Sequence, residues 1–147
     1  MTTIRTVAII GAGQMGAGIA QTVALGGYDV GLYDRDPARI DTARATIAAS
    51  LARHVARGGI DQAGADKALG HIQPRGSLAE VGKADLVIEA AIEDEAVKKA
   101  IFAELTPHLA AGTLLASNTS SISITRLASA SDRPERFIGL HFMKPAP

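Results

Sequence analysis

The stretch Val7-Ala8-Ile9-Ile10-Gly11-Ala12-Gly13-Gln14-Met15-Gly16-Ala17-Gly18-Ile19-Ala20 decides the fold. Four apolar residues lead into a glycine-rich turn, and the turn leads into an alanine-rich helical segment. Gly11, Gly13 and Gly16 match the spacing G-x-G-x-x-G. Where a strand turns into a helix around a pyrophosphate, each glycine has a physical task. The first permits the sharp turn, the second leaves the backbone bare toward the phosphates, and the third lets helix and strand pack closely. The pyrophosphate then meets free N–H groups at the positive end of the helix. Such glycines also occur in plain strand-to-helix turns with no ligand, so context decides. Here the motif follows a β run and opens a helix, as the fingerprint requires. A second apolar run, Asp29 to Tyr33, ends in Asp34, eighteen residues beyond Gly16. An acid at that point accepts hydrogen bonds from both adenine-ribose hydroxyls and repels a 2′-phosphate, which selects NAD over NADP. Arg35 follows directly, so the expectation is preference rather than exclusion.

Composition is consistent with this reading. The 147 residues suit one domain with its own core. The 15 basic and 15 acidic residues balance, so nothing points to a nucleic-acid or membrane partner. Cysteine is absent, which excludes disulfides, thiol nucleophiles and cysteine metal sites. No histidine pair has zinc spacing, so no metal is expected. His54, His71 and His108 fall in polar contexts and read as solvated. Arg5 interrupts any signal peptide, and no apolar stretch approaches a membrane span. A cytoplasmic protein is expected.

The remaining chain alternates strand and helix. Strands are predicted at Ile4–Ile10, Asp29–Asp34, His71–Pro74, Leu86–Ile92, Thr113–Ala116 and Phe137–Phe142. Gln14 to about Leu25 is the first helix, closed by Gly26-Gly27. Asp36-Pro37 reads as N-cap and first residue of a long helix, with Ile40, Ile47, Leu51 and Val55 on one face. After Gly58-Gly59, Asp61 caps a return helix, giving a helical hairpin inserted between the second and third strands. Ser77 to Glu80 is a capping-box pattern. Glu93-Asp94 opens a helix that carries Val97, Ile101 and Leu105. A short helix covers Ile124 to Ala128. Repeated βα units imply a Rossmann-like, doubly wound, mainly parallel α/β sheet. Ligands of such sheets lie beyond the carboxyl ends of the strands. That rule selects the glycine turn, Asp34, the Ala91-Ile92-Glu93 corner, the Ser117–Ser121 loop and His141. Ser121 and Ser123 also read as helix caps, and His141 also reads as a half-buried histidine bonded to backbone.

Four motifs together carry a family resemblance. They are Gly11 to Gln21, Glu89-Ala90-Ala91-Ile92-Glu93, Ser117-Asn118-Thr119-Ser120-Ser121 and Gly139-Leu140-His141-Phe142-Met143. In this order and at these spacings, the chain resembles the NAD-binding domain of the L-3-hydroxyacyl-CoA dehydrogenases, of the 3-hydroxybutyryl-CoA dehydrogenase type, over its whole length, 1–147. The resemblance implies that His141 is the general base at the 3-hydroxyl of an acyl-CoA. Imidazoles as a class titrate near neutrality, which suits that task. It implies that Ser120 bonds the substrate oxygen, and that Gly11, Gly13, Gln14, Met15, Gly16, Asp34, Glu93, Lys98 and Asn118 contact NAD. Ser50 and Arg57 match positions that contact coenzyme A.

Two departures from the family pattern stand out. Lys144 occupies a position where the family has asparagine, and a lysine cannot accept a hydrogen bond. The family's histidine-orienting glutamate and its helical C-terminal domain, which closes the cleft and forms a homo-oligomer, fall beyond Pro147. The sequence is therefore expected to be the cofactor half of the enzyme, able to bind NAD and inactive alone, with apolar surface bare around Phe137, Phe142 and Met143. A stand-alone, non-catalytic NAD-binding module is the other open reading.

Overall fold

A computed structural model of the chain describes residues 3–142. Most strands are short apolar runs, and every α-helix but the first begins where a small polar side chain takes a free N–H group. Strands β1 (Thr6–Ile10), β2 (Asp29–Tyr33), β3 (Ile72–Pro74), β4 (Leu86–Glu89), β5 (Leu114–Ser117) and β6 (Phe137–Gly139) form one sheet. The spatial order is β3-β2-β1-β4-β5-β6, and all five pairings are parallel. The order reverses between β1 and β4, so a crevice opens there beyond the strand ends.

Helices cover both faces. Helix α1 (Gln14–Leu25) and the hairpin of α2 (Pro37–Ala56) and α3 (Gln62–Gly70) lie on one side. There Ile19, Ile40, Ile47 and Leu51 meet Val7, Ile9, Val30 and Leu32. Helices α4 (Leu78–Val81), α5 (Glu95–Leu105) and α6 (Ile124–Ala128) lie on the other. There Val81, Phe102, Leu105 and Leu127 meet Ala8, Ile10, Val87 and Leu115. Alternate residues of β1 serve opposite cores. A slip of one residue would exchange every one of them, so burial on both faces fixes the register.

Local capping sets the helix starts. Asp36 accepts from the Ala38 N–H, Asp61 from Gly64, Ser77 from Glu80, Asp94 from Val97 and Ser123 from Arg126. The Arg133 guanidinium, buried beside β6, donates to the carbonyls of Ala110 and Thr113 and thereby holds the α5–β5 connection.

Several expectations are corrected. The run after β4 does not extend to Ile92, because pairing with β1 stops at Glu89 opposite Ile10. The last strand stops at Gly139 rather than Phe142, since its partner β5 ends at Ser117. Phe137 is not bare: it is buried edge-on against Phe102, ring centroids 4.7 Å apart. Phe142 packs partly into the α1-side core, and it is Ile138 on edge strand β6 that is exposed. Met143 and Lys144 lie outside the described residues. His71, too, is not simply solvated, since its Nδ1 lies 2.9 Å from Asp29 Oδ1.

The join of α1 to β1 leaves no room for a side chain at Gly16. A Cβ on Gly16 would overlap the Gly11 carbonyl oxygen, whereas one on Gly13 meets nothing within 4 Å among the described residues. Gly16→Ala is therefore expected to lower unfolding free energy by about 1–3 kcal/mol, as overpacking does. Gly13→Ala should cost less than about 1 kcal/mol, the range of a lost helix cap. Urea unfolding of both variants checks this, and equal losses would contradict the packing argument.

Candidate cofactor cleft

Beyond the carboxyl ends of the strands lies an open cleft of about 1010 Å³. Its lining brings together Gly11, Gly13, Gln14, Met15, Asp34, Glu93, Asn118, Ser120 and His141. Residues separated by 130 positions meet because every βα connection of a parallel sheet emerges on the same edge.

The glycine turn forms one wall. Gly11 has φ +109°, a conformation that favours glycine, and an added Cβ would lie 2.6 Å from the Ala90 carbonyl oxygen. Gly13 is the N-cap of α1, with no side chain bonded to the first-turn N–H groups and no acid in that turn. Those N–H groups have no intrahelical partner and concentrate positive potential. Asp34 pins the turn from β2. Its Oδ2 accepts the Ala12 N–H and its Oδ1 the Asp36 N–H, both at 2.9 Å. Each oxygen retains acceptor capacity for a ribose hydroxyl. An uncapped, exposed N-terminus beside an anchored acid fits a dinucleotide: anion at the helix, diol at the carboxylate.

The other end of the cleft is built on carboxylates. Glu93 accepts from the Thr119 hydroxyl at 2.8 Å, the Ser120 N–H at 3.0 Å and the Ser121 hydroxyl at 3.2 Å. Partial burial pushes its pKa up, but these donors and the Lys98 charge outweigh burial and lower it from 4.5 to about 2. Asn118 receives the Phe142 N–H on its Oδ1 at 2.7 Å and thereby holds the segment that carries His141. Ser120 and His141 are exposed at the cleft surface. Ser123 caps α6, whereas Ser121 bonds Glu93 instead.

Family comparison names the cleft's occupant. Residues 6–147 match the family model described as 3-hydroxyacyl-CoA dehydrogenase, NAD binding domain. The chain belongs to this family. It is 51% identical over 144 residues to a 3-hydroxybutyryl-CoA dehydrogenase of Bradyrhizobium diazoefficiens, covering 98% of this chain and 49% of that one. It is 45% identical over 147 residues to the 3-hydroxyadipyl-CoA dehydrogenase of Escherichia coli K12, covering 100% of this chain and 31% of that one. The crystal structure of Mycobacterium tuberculosis FadB2 superimposes with a TM-score of 0.95 at 43% identity, covering 99% of this chain and 52% of that one. The chain thus spans about half the length of the first of these relatives. As a member of this family, the domain takes NAD as its cofactor.

Gly16, buried where α1 meets β1, and three further expected contacts do not line the cleft. Lys98 is buried beneath it: its ammonium bonds Glu89 at 2.6 Å and the Ala91 carbonyl at 3.1 Å, and lies 3.5 Å from Glu93. It supports the cleft floor instead of lining it. Ser50 sits on α2 and receives a hydrogen bond from Gln21 Nε2 at 3.0 Å. Arg57 is exposed just after α2. Neither is among the cleft-lining residues. Conversely, the sequence assigns no cleft role to Glu89, which opens one of the four motifs, or to Arg39, Leu78 and Ile101. The last three line the cleft, and Glu89 lies under it. A lone acid closing an apolar strand was the available signal for Glu89.

The lowered pKa of Glu93 has a consequence for stability. An unfolded glutamate near 4.5 binds its proton before the folded one near 2, so the contribution is full above about pH 4.5. It fades as pH falls toward 2. Unfolding free energies of the native chain and of Glu93→Gln, measured across this window, should converge on acidification. A gap independent of pH would contradict the donor arrangement described for Glu93.

Proposed function

We propose that the chain is the cofactor-binding half of an NAD-dependent 3-hydroxyacyl-CoA dehydrogenase of the 3-hydroxybutyryl-CoA type. The supporting observation is that His141 and Ser120 line the same cleft as the glycine turn and Asp34. In this reading the pyrophosphate rests on the first turn of α1 and the adenine ribose on Asp34. Asp34 favours NAD over NADP. Glu93 and Asn118 hold the nicotinamide end. Gln14 and Met15 flank the phosphates.

When bound, NAD supplies the two-electron acceptor for the hydride leaving C3. His141 takes the proton of the 3-hydroxyl on an imidazole nitrogen as the C3–O bond becomes a carbonyl. Ser120 donates to that oxygen and keeps it aligned. Ser50 and Arg57, on the hairpin, suit the coenzyme A portion, where the Arg57 guanidinium faces phosphate charge. The acyl-CoA substrate is supported by the names of the relatives. The charge-balanced, cysteine-free sequence supports a cytoplasmic setting. Among the described residues no helix is long and apolar enough to cross a membrane.

The test is NADH consumption with acetoacetyl-CoA by the protein that carries this sequence. His141→Ala should lower kcat by about 10²–10⁴-fold, the range for a general acid–base group. Its NAD affinity by calorimetry should stay within about twofold of native, a difference of only a few tenths of a kcal/mol. Undiminished turnover in His141→Ala would overturn the assignment.

A further inference from the structure

Stability alone does not account for a charged pair buried under the cleft. Glu89 and Lys98 are both 0% exposed, at the end of β4 and on α5. Replacing such a pair by well-packed apolar side chains is often neutral or stabilising. What distinguishes this pair is where its hydrogen bonds go. Glu89 takes the Ala91 N–H at 2.7 Å, the Lys98 ammonium at 2.6 Å and the Ser117 hydroxyl. Those donors come from the β4–α5 connection, from α5 and from the end of β5. Lys98 also reaches the Ala91 carbonyl and the Glu93 carboxylate. Both peptide groups of Ala91 are thus held by one ion pair. The Glu89 main-chain carbonyl accepts the Asn118 N–H at 2.8 Å, directly after the bonded Ser117. Asn118 in turn holds Phe142 beside His141. One carboxylate therefore ties together the three segments that form the Glu93 end of the cleft. Its side-chain bonds do not reach Asp34 or the glycine turn, which form the other end.

We propose that Glu89, acting through Lys98 and Ser117, is a positioning residue for the nicotinamide end of the bound cofactor. This rests on the reading that the nicotinamide lies at the Glu93 end of the cleft. Glu89 touches no reactant. It sets the places of Ala91, Glu93 and Asn118, and a small displacement of such groups is costly because hydrogen bonds weaken steeply with poor geometry.

Two ligands separate the ends of the cleft. ADP-ribose carries the adenine, both riboses and the pyrophosphate but no nicotinamide, and NADH fluorescence reports the nicotinamide itself. In Glu89→Gln, NADH affinity should fall about tenfold, the effect of one charged hydrogen bond, with reduced enhancement of its emission. ADP-ribose affinity should stay within about twofold. The double variant Glu89→Gln/Lys98→Met removes both charges and is expected to melt near the native temperature, yet to bind NADH as weakly as the single variant. Equal loss of both ligands in Glu89→Gln, or recovery of NADH binding along with stability in the double variant, would overturn the proposal. If ADP-ribose binds the native chain but NADH emission does not change on binding, the reading of the cleft's two ends fails first, and the proposal fails with it.

Discussion

Helix α1 lies against β1 only because Gly16 places no side chain over the Gly11 carbonyl. That one close approach fixes the height at which the helix begins, and so the position of its uncapped N–H groups at the rim of the sheet. Asp34 completes the arrangement by bonding the Ala12 N–H across from β2. Backbone atoms, not side chains, thus make the wall that receives charge. A wall of this kind is rigid, since none of its donors depends on a rotamer.

The two ends of the cleft are built on different physics. At the glycine end the electrostatic feature is a helix terminus, open to solvent and worth little until an anion arrives. At the other end it is a set of ionised side chains. Glu93 gathers the 119–121 loop from above, while Glu89 and Lys98 fix the floor from below. A buried carboxylate is costly unless it is bonded, and Glu89 takes three hydrogen bonds. The contrast explains why the glycine turn is recognisable from spacing, while at the second end the strand-end rule selects Glu93 and Asn118 but not the ion pair beneath them.

Sequence legibility follows the range of the interactions. The caps Asp36, Asp61, Ser77 and Ser123 act within three residues of themselves, and the helix starts they set were readable directly. The glycine turn and Asp34 were readable because a parallel sheet puts consecutive strand ends together. The ends of β4 and β6 were drawn too long, because an apolar run records burial but not where a neighbour stops pairing. The family resemblance places Lys98 against the cofactor, and its spacing on α5 gives no warning that Glu89, on a buried strand, draws it under the floor. The hairpin was legible as two capped helices, yet its contribution to any substrate was not, since Ser50 bonds within the domain and Arg57 lies off the cleft.

If NAD lies along the whole cleft from the glycine turn to His141, titration of the labelled protein with NAD should shift the amides of Gly11 to Gly16, Asp34, Glu93, Asn118, Ser120 and His141. Those of His71, His54 and Arg57 should stay in place. Shifts confined to the glycine turn, or centred on the hairpin, would contradict this placement of NAD.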